Sequence, residues 1–422
     1  MLRRDFLARI AAAGAYGFTP ALHARQPALR VGVVGGGIVG ASIALHLAEA
    51  GARVTLLEKA QPASGATQNS FAWLNAFVAD AHYRELRLQS LLAYHQLDRR
   101  LQLGITWGGY LNWAGTEAEV AALRANGAQL NGTDHAVRTI SATELAALSP
   151  TLVPGPVAAA FFSGVDGHLD PVKVTHLFLA AARRHGAKIL SDCELLGLDM
   201  QGNALGGVVT SHGRFRFDRL VVAAGVDTPG IVAMAGFNLA LRHAPGILAH
   251  SQATALVTPI IHDAPGGVSF RQAADGSIIG FDSPEPPDLA VHQEIRTHAM
   301  PFPDEALLAV HGNRILGKVA TYLPAARGLP LERLTLGFRP MPLDDLPVVG
   351  ALPGAPDIHV VVTHSGVTLA PILGSFVARE VLAAARLEAL APYRPERFVA
   401  AAVAGRQKVL PTVTPYVCGA LT

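Results

Sequence analysis

The first residues in this sequence whose types and spacing could do chemistry form a glycine-rich turn between two apolar runs. Leu29–Val34 ends directly in Gly35-Gly36-Gly37-Ile38-Val39-Gly40. A helical pattern then continues to Ala50, Gly51 stops it, and a second apolar run, Val54–Leu57, closes at Glu58. Strand, turn, helix and strand follow within roughly 30 residues, the span of one βαβ unit. Gly35 suits the tight turn, Gly37 lets a pyrophosphate approach the backbone, and Gly40 lets the helix pack closely on the sheet. The free N–H groups and dipole of the helix N-terminus favour phosphate. Glu58 is placed to hold ribose hydroxyls and would repel a 2′-phosphate, so FAD or NAD is expected rather than NADP. A glycine turn that binds nothing is the structural alternative, and the flanking strand, helix and acidic residue together argue against it.

Other features bound the chemistry. The small polar loop Gln61–Ser70 reads either as a ligand contact or as a surface turn, and Trp73 after it reads as core. Arg219–Gly225 (RLVVAAG) reads as a buried parallel strand whose small terminal residues let a ligand or helix come close. The two cysteines, Cys193 and Cys418, form no CxxC pair and no metal or disulfide framework. Lys and Arg number 34 against 32 Asp and Glu, a formal charge of +2, so no overall field draws nucleic acid or an anionic membrane. At 422 residues and 50% hydrophobic content, the chain has room for two or three packed domains.

The elements that must position these residues come next. Tyr83–Leu101 predicts a long amphipathic helix, Ile105–Trp113 a strand and Glu117–Asn126 a helix. Ser141 with Glu144 forms a capping box on a short helix ending at Leu148. VDGHLDP leads into a helix over Val172–His185 and a strand over Ala187–Leu190. Leu195–Met200 and Ala204–Thr210 pair as a hairpin, with a short strand over Arg214–Asp218. From Leu241 to Tyr322 short alternating strands (Gln252–Val257, Val268–Arg271, Ser277–Phe281) predict an antiparallel sheet, with a short helix around Asp304–Val310 packed on it. The chain returns to the first type of architecture over Leu334–Pro347, Ile358–Thr363 and a final helix, Leu369–Leu387.

At the N-terminus, Arg3-Arg4-Asp5-Phe6-Leu7 precedes a weakly apolar stretch, Ile10–Leu22, too short to span a bilayer. It resembles a bacterial twin-arginine signal, which exports proteins already folded around a cofactor and predicts a periplasmic location. Ala8 stands where lysine is usual. A basic tail on a cytoplasmic protein is the alternative.

Six stretches, in order, resemble the D-amino acid oxidase superfamily of FAD-dependent amine oxidoreductases, which includes glycine oxidase and sarcosine oxidase: VVGGGIVGASIALHLAEAGARVTLLEK, ASGATQNS, GHLDP, LVVAAG, GFRPMPLDDLPVVG and HSGVTLAPILG. The resemblance implies an α/β protein with a discontinuous Rossmann-like FAD-binding domain (residues 28–82, 150–235 and 330–400). It also implies an α+β substrate domain with a mainly antiparallel sheet (83–149 and 236–329). An export signal (1–25) is expected before these domains and a tail (401–422) after them. The resemblance carries FAD contact to Gly35, Gly37, Ile38, Val39, Gly40, Glu58 and Lys59. Contact also extends to Ser64, Gly65, Ala66, Thr67, Asn69 and Ser70, to Ala224 and Gly225, and to Arg339, His364, Ser365, Gly366, Val367 and Thr368. Gly337 stands where sarcosine oxidases carry the cysteine that links their flavin, so the FAD is expected to be non-covalent. The shorter turn His364-Ser365-Gly366 lacks the second arginine of glycine oxidase.

By the same resemblance, Arg339 grips a substrate carboxylate, a bidentate task that suits a guanidinium. The bland alternative pairs it with Asp344 or Asp345. Backbone N–H groups at His364–Val367 would stabilise negative charge at the pyrimidine end of the reduced flavin, with His364 adding to this or merely hydrogen bonded. Arg271 and Tyr322 are weaker catalytic candidates. The activity implied is hydride transfer to flavin N5 from the carbon beside an amine nitrogen, in a D-amino acid or N-substituted amino acid, giving an imine that hydrolyses. The partners are a small amine or amino acid and an electron acceptor (oxygen, a quinone or a redox protein), with no nucleic acid and no membrane span. The rivals are hydroxy-acid oxidation and a non-catalytic protein that holds FAD as a structural ligand.

Overall fold

In the computed structural model, residues 28–128, 137–282, 291 and 305–403 are described. The twin-arginine stretch and Cys418 lie outside the described residues. The strand Arg30–Val34, nearly all buried, lies inside a six-stranded sheet ordered 348–352, 355–362, 219–222, 30–34, 53–57, 188–190. All neighbours run parallel except 348–352 against 355–362. Strands on both faces of a parallel sheet are covered, which is why VGVV, RLVV and IHVVV read as continuous apolar runs. The chain fills one side of Arg30–Val34 first and the other side later, so a topological switch point lies beside that strand, where α/β sheets bind ligands.

The helix after the glycine turn, Ile38–Glu49, is apolar nearly all round and packs between the helices Pro171–Arg184 and Gly366–Ala383. Gly366–Ala383 is the one described helix long and apolar enough to cross a membrane, and most of it is buried in this core. Its far end is anchored by Glu380, whose carboxylate accepts from both Nη atoms of the buried Arg394 at 2.8 and 2.5 Å. The helix Pro171–Arg184 starts on Asp170 of GHLDP, whose side chain accepts from the Val172 and Lys173 N–H groups. The Ser141 capping box is present as expected.

The second layer is an eight-stranded, mainly antiparallel sheet ordered 331–342, 241–251, 278–282, 268–272, 261–264, 110–114, 159–163, 137–140. Several boundaries differ from the sequence reading. Leu331–Pro342, expected with the cofactor-binding part, pairs along its length with Leu241–Ser251 and forms an edge of this sheet. Pro340, Pro342 and Gly337 hide its alternation in the sequence, and an edge strand tolerates them. Ala159–Ser163 also belongs here, whereas the helix Ala81–Leu101, expected with the substrate part, packs on Gly366–Ala383. Gln252–Val257 is not a strand. The Gln272 amide accepts from the Val257 N–H and donates to the Ala255 carbonyl, in place of a ladder. In Ile105–Trp113 the ladder starts only at Tyr110, after Gly108 and Gly109. The helix expected around Asp304–Val310 runs over Glu305–Tyr322, with His311, Gly312, Ile315, Leu316 and Val319 on its buried face. The final helix occupies Gly366–Ala383, starting three residues earlier than expected.

Candidate cofactor and substrate site

A cavity of about 580 Å³ runs along the carboxyl ends of the central strands. Its wall begins at Cys193-Glu194-Leu195, passes Glu58, Gly35 and Gly37–Val39, crosses Ala223–Asp227, and ends at Val361–His364, Gly366 and Val367. From strand 188–190 to strand 355–362 there are four inter-strand steps of about 4.8 Å, roughly 19 Å in all. That length suits an extended dinucleotide better than a mononucleotide.

Two helix N-termini face this cavity with no side-chain cap. One is Ile38–Glu49, with Gly37 at its N-cap; the other is Gly366–Ala383, with Ser365 there. Uncapped first-turn N–H groups form an anion site. Only Ile38 among the first has a side-chain acceptor, Thr67 Oγ1 at 3.1 Å, which also ties the 61–70 loop to the turn. Gly35 holds φ +106°, a conformation glycine adopts freely. An ideal Cβ on Gly40 would stand 2.0 Å from the Gly35 carbonyl oxygen, so this residue serves helix seating and does not line the cavity. The Gly36 and Ala60 N–H groups donate to the two oxygens of Glu58 at 2.6 and 2.9 Å, fixing its carboxylate at the cavity wall. Lys59 pairs with Asp227 at 2.8 Å, and both line the cavity. Length, uncapped N-termini and a fixed carboxylate together fit FAD.

The family model for FAD dependent oxidoreductases (DAO) matches residues 30–380. The chain belongs to that family. It is an FAD-dependent enzyme. One of the opine oxidase subunits of Agrobacterium tumefaciens (strain Ach5) is 27% identical over 87% of this chain and 96% of that protein. Mouse mitochondrial dimethylglycine dehydrogenase is 26% identical over 64% of this chain, which spans only 32% of that longer protein. The crystal structure of glycine oxidase from Geobacillus kaustophilus shares the fold, with TM-score 0.76 and 23% identity over 87% of this chain and 98% of that one.

Of the residues expected to touch FAD, Gly35, Gly37, Ile38, Val39, Glu58, Lys59, Ser64, Gly65, Ala66, Thr67, Ser70, Ala224, Gly225, His364, Gly366 and Val367 line the large cavity. Asn69 and Arg339 instead line a small adjoining pocket of about 30 Å³, shared with Ala66, Ser70, Gly337, Phe338, Pro340 and His364. Ser365 and Thr368 are fully buried behind the wall. The Thr368 hydroxyl donates inward to the Trp73 carbonyl at 3.0 Å. Trp73 itself is core, stacked on Tyr110 at 4.5 Å. A Cβ on Gly337 would stand 2.7 Å from Asn69 Cβ, so a cysteine there would collide with the 61–70 loop.

Two catalytic candidates lie elsewhere. Tyr322 ends its helix with its hydroxyl donating to the Pro265 carbonyl at 2.7 Å and its ring edge-on to Trp113. The buried Arg271 donates from Nε to the Phe71 carbonyl at 2.6 Å, and burial lowers its pKa to about 10. Neither lines the cavity. Arg339 and His364 share the wall of the small pocket. Burial and then the cations Arg87, Arg339 and Arg242 hold the His364 imidazole well below its ordinary pKa, so it is neutral at pH 7 and acts as a hydrogen-bonding group without positive charge. The aspartates proposed as partners for Arg339 are engaged by others: Asp344 by Arg397 at 2.6 Å, and Asp345 by Arg242.

The sequence reading missed a polar stripe on the helix Ala81–Leu101. Arg87, Ser90 and Tyr94, at i, i+3 and i+7, share one helix face and meet the start of Gly366–Ala383. Ser90 Oγ donates to the Thr368 carbonyl at 2.6 Å and Tyr94 OH to the Val367 carbonyl at 2.5 Å, while Arg87 donates to Ser365 Oγ. The signal available was polar residues recurring in helical register among leucines.

Proposed function

We propose that this enzyme oxidises the carbon beside the amine nitrogen of an amino acid, a D-amino acid or an N-substituted one. The observation that carries this reading is Arg339 beside the neutral His364, in a small pocket opening off the cofactor cavity, with Asp344 and Asp345 held by other arginines. FAD, held by the residues that line the large cavity, would supply the two-electron acceptor for a hydride. Arg339 receives the substrate carboxylate through two parallel N–H donors and so fixes the α-carbon. The neutral His364 adds no positive charge beside the substrate nitrogen, which reacts in its uncharged form so that its lone pair can assist hydride departure. The first-turn N–H groups at Gly366 and Val367 favour negative charge at that end of the cavity. Hydride loss from the carbon beside the uncharged nitrogen leaves an iminium, which gives its proton to water as the imine, and hydrolysis then releases a carbonyl compound and ammonia or the amine. Names among the relatives support the substrate class, since dimethylglycine is an N-substituted amino acid.

An anaerobic screen of amines and amino acids, watching the flavin absorption, tests this reading. Amino acids carrying a free carboxylate should bleach the flavin and release ammonia or an amine. Bleaching by hydroxy acids instead, or by no substrate at all, would displace it. On acid precipitation the flavin should stay in the supernatant, because Gly337 offers no sulfur and leaves no room for one.

We further propose export by the twin-arginine route. Replacing Arg3 and Arg4 with lysine should leave the protein in the cytoplasm of a host that has this system. If the unaltered protein is already cytoplasmic there, the N-terminal arginines are only a basic tail.

A further inference from the structure

Behind the turn that ends the cofactor cavity lies a buried charge with no carboxylate in contact among the described residues. Arg87 is 3% exposed and reaches only neutral acceptors: Asn75 Oδ1 at 2.7 Å from Nη1, and the Tyr83 hydroxyl (3.4 Å) and Ser365 Oγ from Nη2. Its guanidinium lies over the Tyr83 ring, 4.6 Å from the centroid, and its Nε has no acceptor. No Asp or Glu oxygen among the described residues lies within ion-pair distance. Asp166 feels this charge from farther off, yet burial raises that carboxyl to about 7, and Ser163 and Trp73 already donate to it. A guanidinium taken out of water with no counter-charge is costly, so a fold that keeps one has a negative charge to place near it.

The neighbouring geometry says where that charge falls. Ser365 is the N-cap of Gly366–Ala383 and touches both Arg87 and His364 Nε2, the latter at 3.1 Å. His364, Gly366 and Val367 form the end of the cavity wall. Arg87 therefore stands one residue layer behind the wall, on the side where two helix-turn N–H groups already face the cavity. Asn75 and Tyr83 hold the fork rigidly from two directions.

We propose that Arg87 is a positioning residue that poises the flavin. Its fixed charge, set behind Ser365, favours the reduced, anionic cofactor over the oxidised, neutral one, so the counter-charge missing from the protein is supplied on reduction. This rests on the FAD assignment and not on the substrate reading. Its test uses no substrate, so failure of one leaves the other standing.

The experiment is a dye-equilibrated reductive titration of the holoenzyme and of Arg87→Gln and Arg87→Lys. Glutamine keeps a donor toward Asn75 and Ser365 but removes the charge; lysine keeps the charge but loses the fork. At an effective dielectric near 20, a charge roughly 10 Å from a second one would change the reduced-to-oxidised ratio by about tenfold. For a two-electron couple, tenfold is about 30 mV. Arg87→Gln should thus lower the midpoint potential by about 30 mV, and Arg87→Lys should recover most of it. Histidine NMR on the same samples should show the His364 pKa rising in Arg87→Gln, with Arg339 and Arg242 still holding it down. Equal falls in both variants would assign the effect to hydrogen-bond geometry and overturn the proposal. An unchanged potential in FAD-loaded Arg87→Gln would do the same. If Arg87→Gln does not fold, Arg87→Met, which keeps a long stem without the charge, decides by the same titration. A midpoint potential about 30 mV below the parent supports the role given to Arg87, and the parent value refutes it.

Discussion

Arg339→Ala should fold, hold FAD and bind carboxylate ligands about 30- to 1000-fold more weakly. Two charge-assisted hydrogen bonds to a carboxylate shielded from water are worth roughly 2–4 kcal/mol, which converts to that range. Arg339→Lys should regain only part of the affinity, because a point charge cannot reproduce a planar fork. A structural arginine would behave differently, its loss lowering flavin content and melting temperature whatever the ligand. Asp344 keeps Arg397 and Asp345 keeps Arg242 when Arg339 is truncated, so neither of these two carboxylates is orphaned. Flavin content, melting temperature and the affinity for a carboxylate inhibitor, measured on one preparation, separate the two. A stable, yellow Arg339→Ala protein with unchanged inhibitor affinity would remove this residue from the site, and with it the main reason to prefer an amino acid over a simple amine.

Gly40→Ala should cost the protein its cofactor. The added Cβ would lie 2.0 Å from the Gly35 carbonyl oxygen, and both partners are backbone, so no side chain can turn aside. The helix Ile38–Glu49 must lift from the strand Arg30–Val34, and the turn that presents N–H groups to the cavity lifts with it. Overpacking of this kind destabilises by about 1–3 kcal/mol, occasionally more, and lowers the melting temperature by a few degrees. The purified variant should be colourless or weakly yellow. Gly317→Ala is the control: nothing lies within 4 Å of that Cβ, on a helix remote from the cavity, and the change should leave the melting temperature equal or higher. A yellow Gly40→Ala protein melting with the parent would contradict the close seating of helix on turn.

The sequence by itself determined the cofactor layer. Parallel strands buried on both faces must be apolar throughout, and a turn that brings backbone to a pyrophosphate must be glycine, so Val33–Gly40, Glu58 and Leu220–Gly225 carry their structure in local composition. The first βαβ unit, the Ser141 capping box, the Asp170 helix start and the 195–210 hairpin lie where local rules put them, because each is stabilised by neighbours a few residues away. What tertiary structure alone decided depends on partners far apart in the chain. The edge strand Leu331–Pro342 exists because Leu241–Ser251, about ninety residues earlier, supplies its ladder; its own prolines and glycine speak against a strand. That Asp344 pairs with Arg397 and Asp345 with Arg242 was likewise set by residues about 50 and 100 positions apart in the chain. Arg271 and Tyr322 looked available in sequence and are committed to the Phe71 and Pro265 carbonyls. Arg87 reads as one more charge on an amphipathic helix, and only the packing of that helix beneath Ser365, 278 residues later, buries it and sets it behind the cavity wall. Local propensity carries no information about such pairs, since their energy arises on burial and burial is a property of the whole chain.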